Sequence, residues 1–203
     1  MKIICLAKNY VAHVKEFDSV QPTEPVFFMK HENCILQDNK PFYYPDFSEN
    51  IHHEIEIVLK ISMDGKNIER SFAHRYFDQI GLGIDFTARD LQKKAKDSGN
   101  PWEISKAFDH SAPLGEFVPA SAFDDVNKLR FHLDVNGVTV QEGNTELMIF
   151  PFEEQIAYIS RYVTLETGDL LFTGTPAGVG PVKPGDRLEG WLEEHKLLDF
   201  QVK

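Results

Sequence analysis

The chain has 203 residues, 42% of them hydrophobic and 26% charged, with a formal net charge of −11. That length allows one substantial core and does not need two, so residues 1–203 are expected to form a single domain. The acidic balance excludes a general phosphate-backbone binder, because no basic surplus exists to release counterions from nucleic acid, and two cysteines, Cys5 and Cys34, make neither a disulfide framework nor a zinc-finger spacing.

The longest unbroken apolar run, Ile3 to Ala7, stops at Lys8 and Asn9. It is too short for a membrane span or a signal-peptide core, so a soluble, cytoplasmic protein with no membrane partner is expected. Asn9 stands where it would cap a short helix from Tyr10 to Phe17. On that helix His13 and Glu16 are three apart and share one side. A carboxylate beside an imidazole raises its basicity and fixes its tautomer, as a general base requires. The same spacing also describes an ordinary surface pair.

Ile51 to Lys60 reads as a strand that contains His52-His53-Glu54-Ile55-Glu56-Ile57. Side chains two apart on a strand share a face, which puts Glu54 and Glu56 together and Ile55 and Ile57 opposite. Two neighbouring carboxylates with apolar flanks resist ionisation unless a cation lies between them. A hard divalent ion such as Mg²⁺ or Mn²⁺ would satisfy both. The plainer alternative is a strand with a solvated acidic edge.

Gly81 to Phe86 is a second strand candidate, and Asp85 is its single acid. Burying that acid requires a partner. Asp85 stands early for a helix cap, and Thr87 is better placed to cap the polar helix expected from Ala88 to Lys96. Lys106 follows between Trp102 and Phe108. It either snorkels to the surface or offers positive charge to a carboxylate or a developing enolate.

Further along, Leu129, Phe131, Leu133 and Val135 alternate with Arg130, His132 and Asp134, and Asn136-Gly137 leads into Val138-Thr139-Val140. This pattern predicts a hairpin with a tight turn. From Glu153 onward, Ile156, Ile159 and Val163 mark one apolar helix face. Gly168 to Thr175 reads as a strand ended by Pro176. The loop Thr173 to Gly180 then gathers three glycines, so that backbone N–H groups and the Thr175 hydroxyl can approach a ligand closely. It falls short of a nucleotide-binding pattern. Pro184-Gly185 turns the chain into a last strand pair through Leu188 and Trp191-Leu192. The whole is a mainly β architecture with helices at its edges and no βαβ rhythm.

In this order the segments resemble the fumarylacetoacetate hydrolase family, in its short acylpyruvate hydrolase and oxaloacetate decarboxylase branch. The matching stretches are Lys8-Asn9-Tyr10 with His13 and Glu16, His53 to Glu56, Asp85 to Asp90, Trp102 to Phe108, Val135-Asn136-Gly137, and Leu165 to Gly180. They cover the chain from about Ile3 to Trp191. The resemblance implies a mixed β-roll that usually forms homodimers, with Glu54, Glu56 and Asp85 binding Mg²⁺ or Mn²⁺. It implies that His13 and Glu16 form a dyad on a segment that orders over substrate, and that Lys106 stabilises an enolate. Gln92 and Thr175 become ligand-contacting positions. Lys8 stands where many relatives carry arginine, so a point charge replaces a bidentate fork, which bears on substrate preference.

The implied reaction breaks the C–C bond beyond carbon 3 of a small 2-oxo acid. Acylpyruvate hydrolysis to pyruvate and a carboxylate, and oxaloacetate decarboxylation, share one enolate intermediate. The alternatives are an isomerase, decarboxylase or keto–enol tautomerase of a related 2-oxo diacid, and a non-catalytic ligand-binding protein on the same fold.

Overall fold

In the computed structural model, which describes residues 1–203, the first apolar run is the strand Ile3–Ala7, buried on both faces. Ile4 and Leu6 face the main core, while Ile3 and Cys5 enter a smaller cluster with Val58, Leu114 and Phe172. Burial on both sides explains why this strand reads as continuous rather than alternating. It pairs in parallel with Leu170–Phe172 and antiparallel with Val26–Lys30. From Leu170–Phe172 the seven-stranded sheet continues through Ile55–Ile61, Phe77–Ile84 and Ala112–Pro119 to a short edge at Ile35–Leu36.

A second sheet holds Val138–Asn144, Arg130–Val135, Arg187–Leu192 and His195–Gln201, all antiparallel. Its apolar side packs on the first, with Leu188, Leu198 and Phe200 in one cluster with Ile55, Ile57 and Leu82. Three further short strands, Gly180–Pro181, Ile51–His53 and Thr87–Ala88, make a third sheet. The α-helices Val11–Glu16, Arg89–Ser98, Glu103–Lys106 and Phe152–Ser160 are all short. None is long and apolar enough to cross a membrane. The mainly β, mixed β-roll is therefore as the strand signals and the resemblance imply.

The Asn136-Gly137 hairpin forms as expected, with φ of 54° and 77° at its two turn residues, the type I′ geometry that suits twisted strands. Its second strand runs on to Asn144, and the register shifts between Thr139 and Gln141. Three other expectations are corrected. Ile51 to Lys60 is not one strand: it breaks at Glu54 into Ile51–His53 and Ile55–Ile61. The Ile55 N–H at the break donates to the Gln141 side chain at 3.1 Å. Gly168 to Thr175 is extended in the sheet only over Leu170–Phe172. The strand Phe77–Ile84 ends one residue before Asp85, whose N–H donates to the Glu54 carbonyl at 2.8 Å.

Neither expected helix cap is used. Tyr10 occupies the cap of Val11–Glu16 without a side-chain bond. Asn9 is buried instead, donating to the Phe150 carbonyl (3.1 Å) and the Thr173 carbonyl (2.8 Å) and accepting from the Phe150 N–H (2.8 Å). Three buried hydrogen bonds, each worth about 1 kcal/mol, outweigh one local cap. Ala88 is the cap of Arg89–Ser98, again without a side-chain bond, and the Thr87 hydroxyl donates to the Asp85 carbonyl at 3.2 Å.

Candidate metal site and its cleft

The strand break is what assembles the acids. Ile55 pairs with Ile84, so Glu54 and Asp85 flank the same end of the ladder, and Glu56 follows two residues along. One carboxylate oxygen from each of the three lies within 4.8 Å of the others, and all three residues are buried. Three negative charges this close and this dry require positive charge.

Part of it comes from the chain. The Lys106 ammonium lies 2.8 Å from Glu54 Oε2 and 2.6 Å from Asp85 Oδ2. It is buried, so it does not snorkel. Lys30 Nζ lies 2.9 Å from Asp85 Oδ1 with its side chain fully enclosed. That contact is off the line of a hydrogen bond, which leaves this carboxylate oxygen a lone pair to offer. The Arg89 guanidinium pairs with Glu54 Oε1. Glu56 has only the Gly174 N–H, at 2.7 Å.

The titration directions follow. Burial opposes ionisation of Glu54, but Lys106 and then Arg89 hold its carboxyl well below the usual range. At Glu56, burial and the Asp85 and Glu54 charges push the carboxyl well above it, against the Gly174 bond. Burial disfavours the Lys106 ammonium, yet Asp85 and Glu54 keep it protonated. The donor set is thus three oxygen ligands, one of them with no cation of its own and another with a free lone pair. A hard divalent ion such as Mg²⁺ or Mn²⁺ fits it.

The same cleft is lined by His13, Lys8, Gln92, Lys106 and Thr175. His13 Nδ1 and Glu16 Oε2 are 3.2 Å apart, and Glu16 Oε1 accepts the Gly178 N–H at 3.0 Å. Burial lowers the His13 pKa, with Glu54 and Glu16 opposing the shift. Phe17, just past the helix, receives the edge of His13 and carries the Arg89 guanidinium 4.8 Å above its ring. Lys8 adopts φ of 60°, a left-handed backbone that costs a non-glycine residue on the order of 1 kcal/mol. Gln92 is buried and accepts from Arg89 Nη1 at 3.0 Å. The candidate site residues Lys8, His13, Glu54, Glu56, Asp85, Gln92, Lys106 and Thr175 therefore line one cleft, and Glu16 is hydrogen-bonded to His13 beside it.

Two residues that pair with the acids, Arg89 and Lys30, carry no role in the sequence reading. Arg89 sits inside a stretch that matched the family, and only the fold pairs it with Glu54. Lys30 sits in the edge strand Val26–Lys30, where a lysine reads as a solvated edge. Its burial depends on the Lys106 carbonyl and on the Ser111 carbonyl and hydroxyl, 76 and 81 residues away, which no local pattern reveals.

Residues 2–203 match the family described as fumarylacetoacetate (FAA) hydrolase C-terminal. Mitochondrial oxaloacetate tautomerase FAHD1 of Mus musculus is 40% identical over 201 residues, covering 99% of this chain and 91% of that protein. Oxaloacetate tautomerase YcgM of Escherichia coli K12 is 39% identical over 197 residues, covering 97% and 90%. The crystal structure of fumarylpyruvate hydrolase from Pseudomonas aeruginosa, in complex with Mn²⁺ and pyruvate, superposes with a TM-score of 0.94 at 35% identity, covering 100% of this chain and 89% of that one.

Proposed function

The chain belongs to the fumarylacetoacetate hydrolase C-terminal family, and from that premise we propose that it is a divalent-metal-dependent enzyme that forms the enolate of a small 2-oxo acid, with keto–enol tautomerisation of oxaloacetate as its leading reaction. The observation that carries this reading is the buried nest of Glu54, Glu56 and Asp85 opening on the cleft that also holds His13 and Lys106. The names of the mouse and bacterial relatives favour oxaloacetate.

A Mg²⁺ or Mn²⁺ ion held by Glu54, Glu56 and Asp85 would supply Lewis-acid polarisation of the 2-oxo group. The protein's own groups do the proton work. His13, kept neutral by burial, has Nδ1 turned to Glu16, which leaves Nε2 to take the hydrogen of carbon 3. The C–H electrons become the C2–C3 double bond, and the carbonyl electrons move onto oxygen. Lys106, kept protonated between Glu54 and Asp85, offers charge and a hydrogen bond to that oxygen; the enol is completed by a proton from water, and His13 returns its own proton to solvent. Lys8 and Thr175, which also line the cleft, would take the ligand's carboxylate.

A second reading is acylpyruvate hydrolysis, which the His13–Glu16 pair favours. There His13 deprotonates a water that attacks the distal carbonyl, and pyruvate leaves as its enolate. Oxaloacetate decarboxylation passes through the same enolate without an attacking water. The test is steady-state kinetics on oxaloacetate and a panel of 2,4-dioxo acids, with Mg²⁺, Mn²⁺ and a chelator. Tautomerisation that is fastest on oxaloacetate and lost on chelation is the expected result. Activity surviving thorough chelation would overturn it, and no turnover of any member would leave the ligand-binding alternative.

A further inference from the structure

Gln141 does not line the cleft and is nearly completely buried, yet its side chain makes four hydrogen bonds. It follows the bulge of Val138–Asn144, where Val140 is left out of the register and Gln141 resumes the ladder opposite Leu133, and such a bulge re-aims the side chains beside it. Its Oε1 accepts from the Ile55 N–H at 3.1 Å, and its Nε2 donates to the Pro176 carbonyl at 3.0 Å. A backbone N–H only donates and a carbonyl only accepts, so these two bonds fix which end of the amide is which.

The other two bonds then have a forced direction. Nε2 donates its second hydrogen to Thr175 Oγ1 at 2.9 Å. Oε1 takes its second hydrogen from His53 Nδ1 at 2.8 Å, so that ring nitrogen carries the proton. The Thr175 hydroxyl, having accepted, has no protein acceptor for its own hydrogen, and Thr175 lines the cleft. The surroundings hold the arrangement rigid. Gly178, at φ of +95°, packs against the bulge so closely that a Cβ would lie 2.3 Å from the Val140 carbonyl, and Gly174 donates to Glu56.

We infer that Gln141 is a positioning residue that occupies one lone pair of the Thr175 hydroxyl and so turns its hydrogen into the cleft, favouring ligands that present an anionic oxygen there. The inference rests on the proposed 2-oxo acid site for the nature of that oxygen. The isosteric Gln141→Glu reverses the polarity: its carboxylate claims the Thr175 hydrogen that the ligand would otherwise receive.

The experiment measures pyruvate affinity of the Mn²⁺-loaded protein by calorimetry, beside KM and kcat for oxaloacetate. Gln141→Glu is expected to weaken pyruvate binding and raise KM by about 10- to 100-fold, the reach of a hydrogen bond to a charged group, with Mn²⁺ affinity unchanged. Thr175→Val should lose as much, Thr175→Ser should recover most of it, and Gln141→Glu placed on Thr175→Val should add less than about twofold. Losses that multiply in the double variant, or a fall in melting temperature with unaltered pyruvate affinity, would overturn the inference. If Gln141→Glu does not fold, Gln141→Met takes its place in the cycle. Independent of any variant, ¹⁵N NMR of the wild type should find the His53 proton on Nδ1; a proton on Nε2 alone would overturn the network. Pyruvate binding with no turnover of any substrate would sink the proposed reaction and leave this inference standing. Turnover with additive Gln141 and Thr175 losses would do the reverse.

Discussion

Glu54, Glu56 and Asp85 stand at strand ends in the middle of the seven-stranded sheet, fully buried and braced by Lys30, Lys106 and Arg89. His13 and Glu16 ride on a six-residue helix whose only buried residue is Val14. The first group is fixed by the fold whatever is bound, because its ladders and ion pairs are those of the core. The second is held by few contacts, chiefly the Glu16–Gly178 bond and an isolated bridge between Tyr10 and Met148. An isolated helix of that length is marginal in water. One cleft thus joins a rigid electrostatic base to a covering segment that local forces barely hold, and the two should fail differently when perturbed.

The largest expected effect breaks the base. Asp85→Ala should cost on the order of 10⁴ in kcat/KM, several kcal/mol of lost Lewis-acid assistance at about 1.4 kcal/mol per tenfold. It should also abolish the rise in melting temperature that Mn²⁺ gives the wild type. An undiminished Mn²⁺ shift in that variant would remove the nest as the metal site. Lys106→Ala should damage every reaction that passes through the enolate, because all share that charge.

Perturbing the covering segment should be selective. His13→Ala should depress acylpyruvate hydrolysis by on the order of 10²–10⁴, the reach of general-base catalysis, and oxaloacetate decarboxylation by less, with the Mn²⁺ shift in melting temperature retained. Equal losses in both reactions would mean that His13 orders the segment or binds substrate and does not activate water.

A smaller effect is the pH profile. Burial favours the neutral form of His13 and lowers its pKa from 6.5. As pH falls, the base is therefore lost only below that value. The acid limb of kcat should lie below pH 6.5 and vanish in His13→Ala; a limb above 6.5 would contradict the burial argument. Smallest is a difference in dynamics alone. In the metal-free protein, amides of Val11–Glu16 should exchange faster than those of Ile55–Ile61, and slow when Mn²⁺ and pyruvate are added. Exchange as slow as in the sheet, with no response to ligand, would erase the contrast between the regions.

What was legible in the sequence follows the same division between local and distant causes. The Asn136-Gly137 hairpin and the apolar face of Phe152–Ser160 are set by near neighbours, and near neighbours reveal them. Asn9 was legible as a polar residue before a helix, but its partners Phe150 and Thr173 lie 141 and 164 residues away, so its buried role was invisible. The strand break at Glu54 has the same origin, since the group that takes the Ile55 N–H belongs to Gln141, 86 residues later. Lys30 is the clearest loss: a lysine on an edge strand is ordinary, and only the fold drives it onto Asp85.

Whether the acid nest drives the proposed enolate chemistry is tested most directly by the ultraviolet absorbance of enol-oxaloacetate as it converts to the keto form with Mg²⁺ present. The wild type should accelerate the decay well beyond Mg²⁺ in buffer, chelation should return it to the buffer rate, and Asp85→Ala should not accelerate it with or without the ion. A wild type no faster than Mg²⁺ alone, or an Asp85→Ala protein as fast as the wild type, would contradict the account.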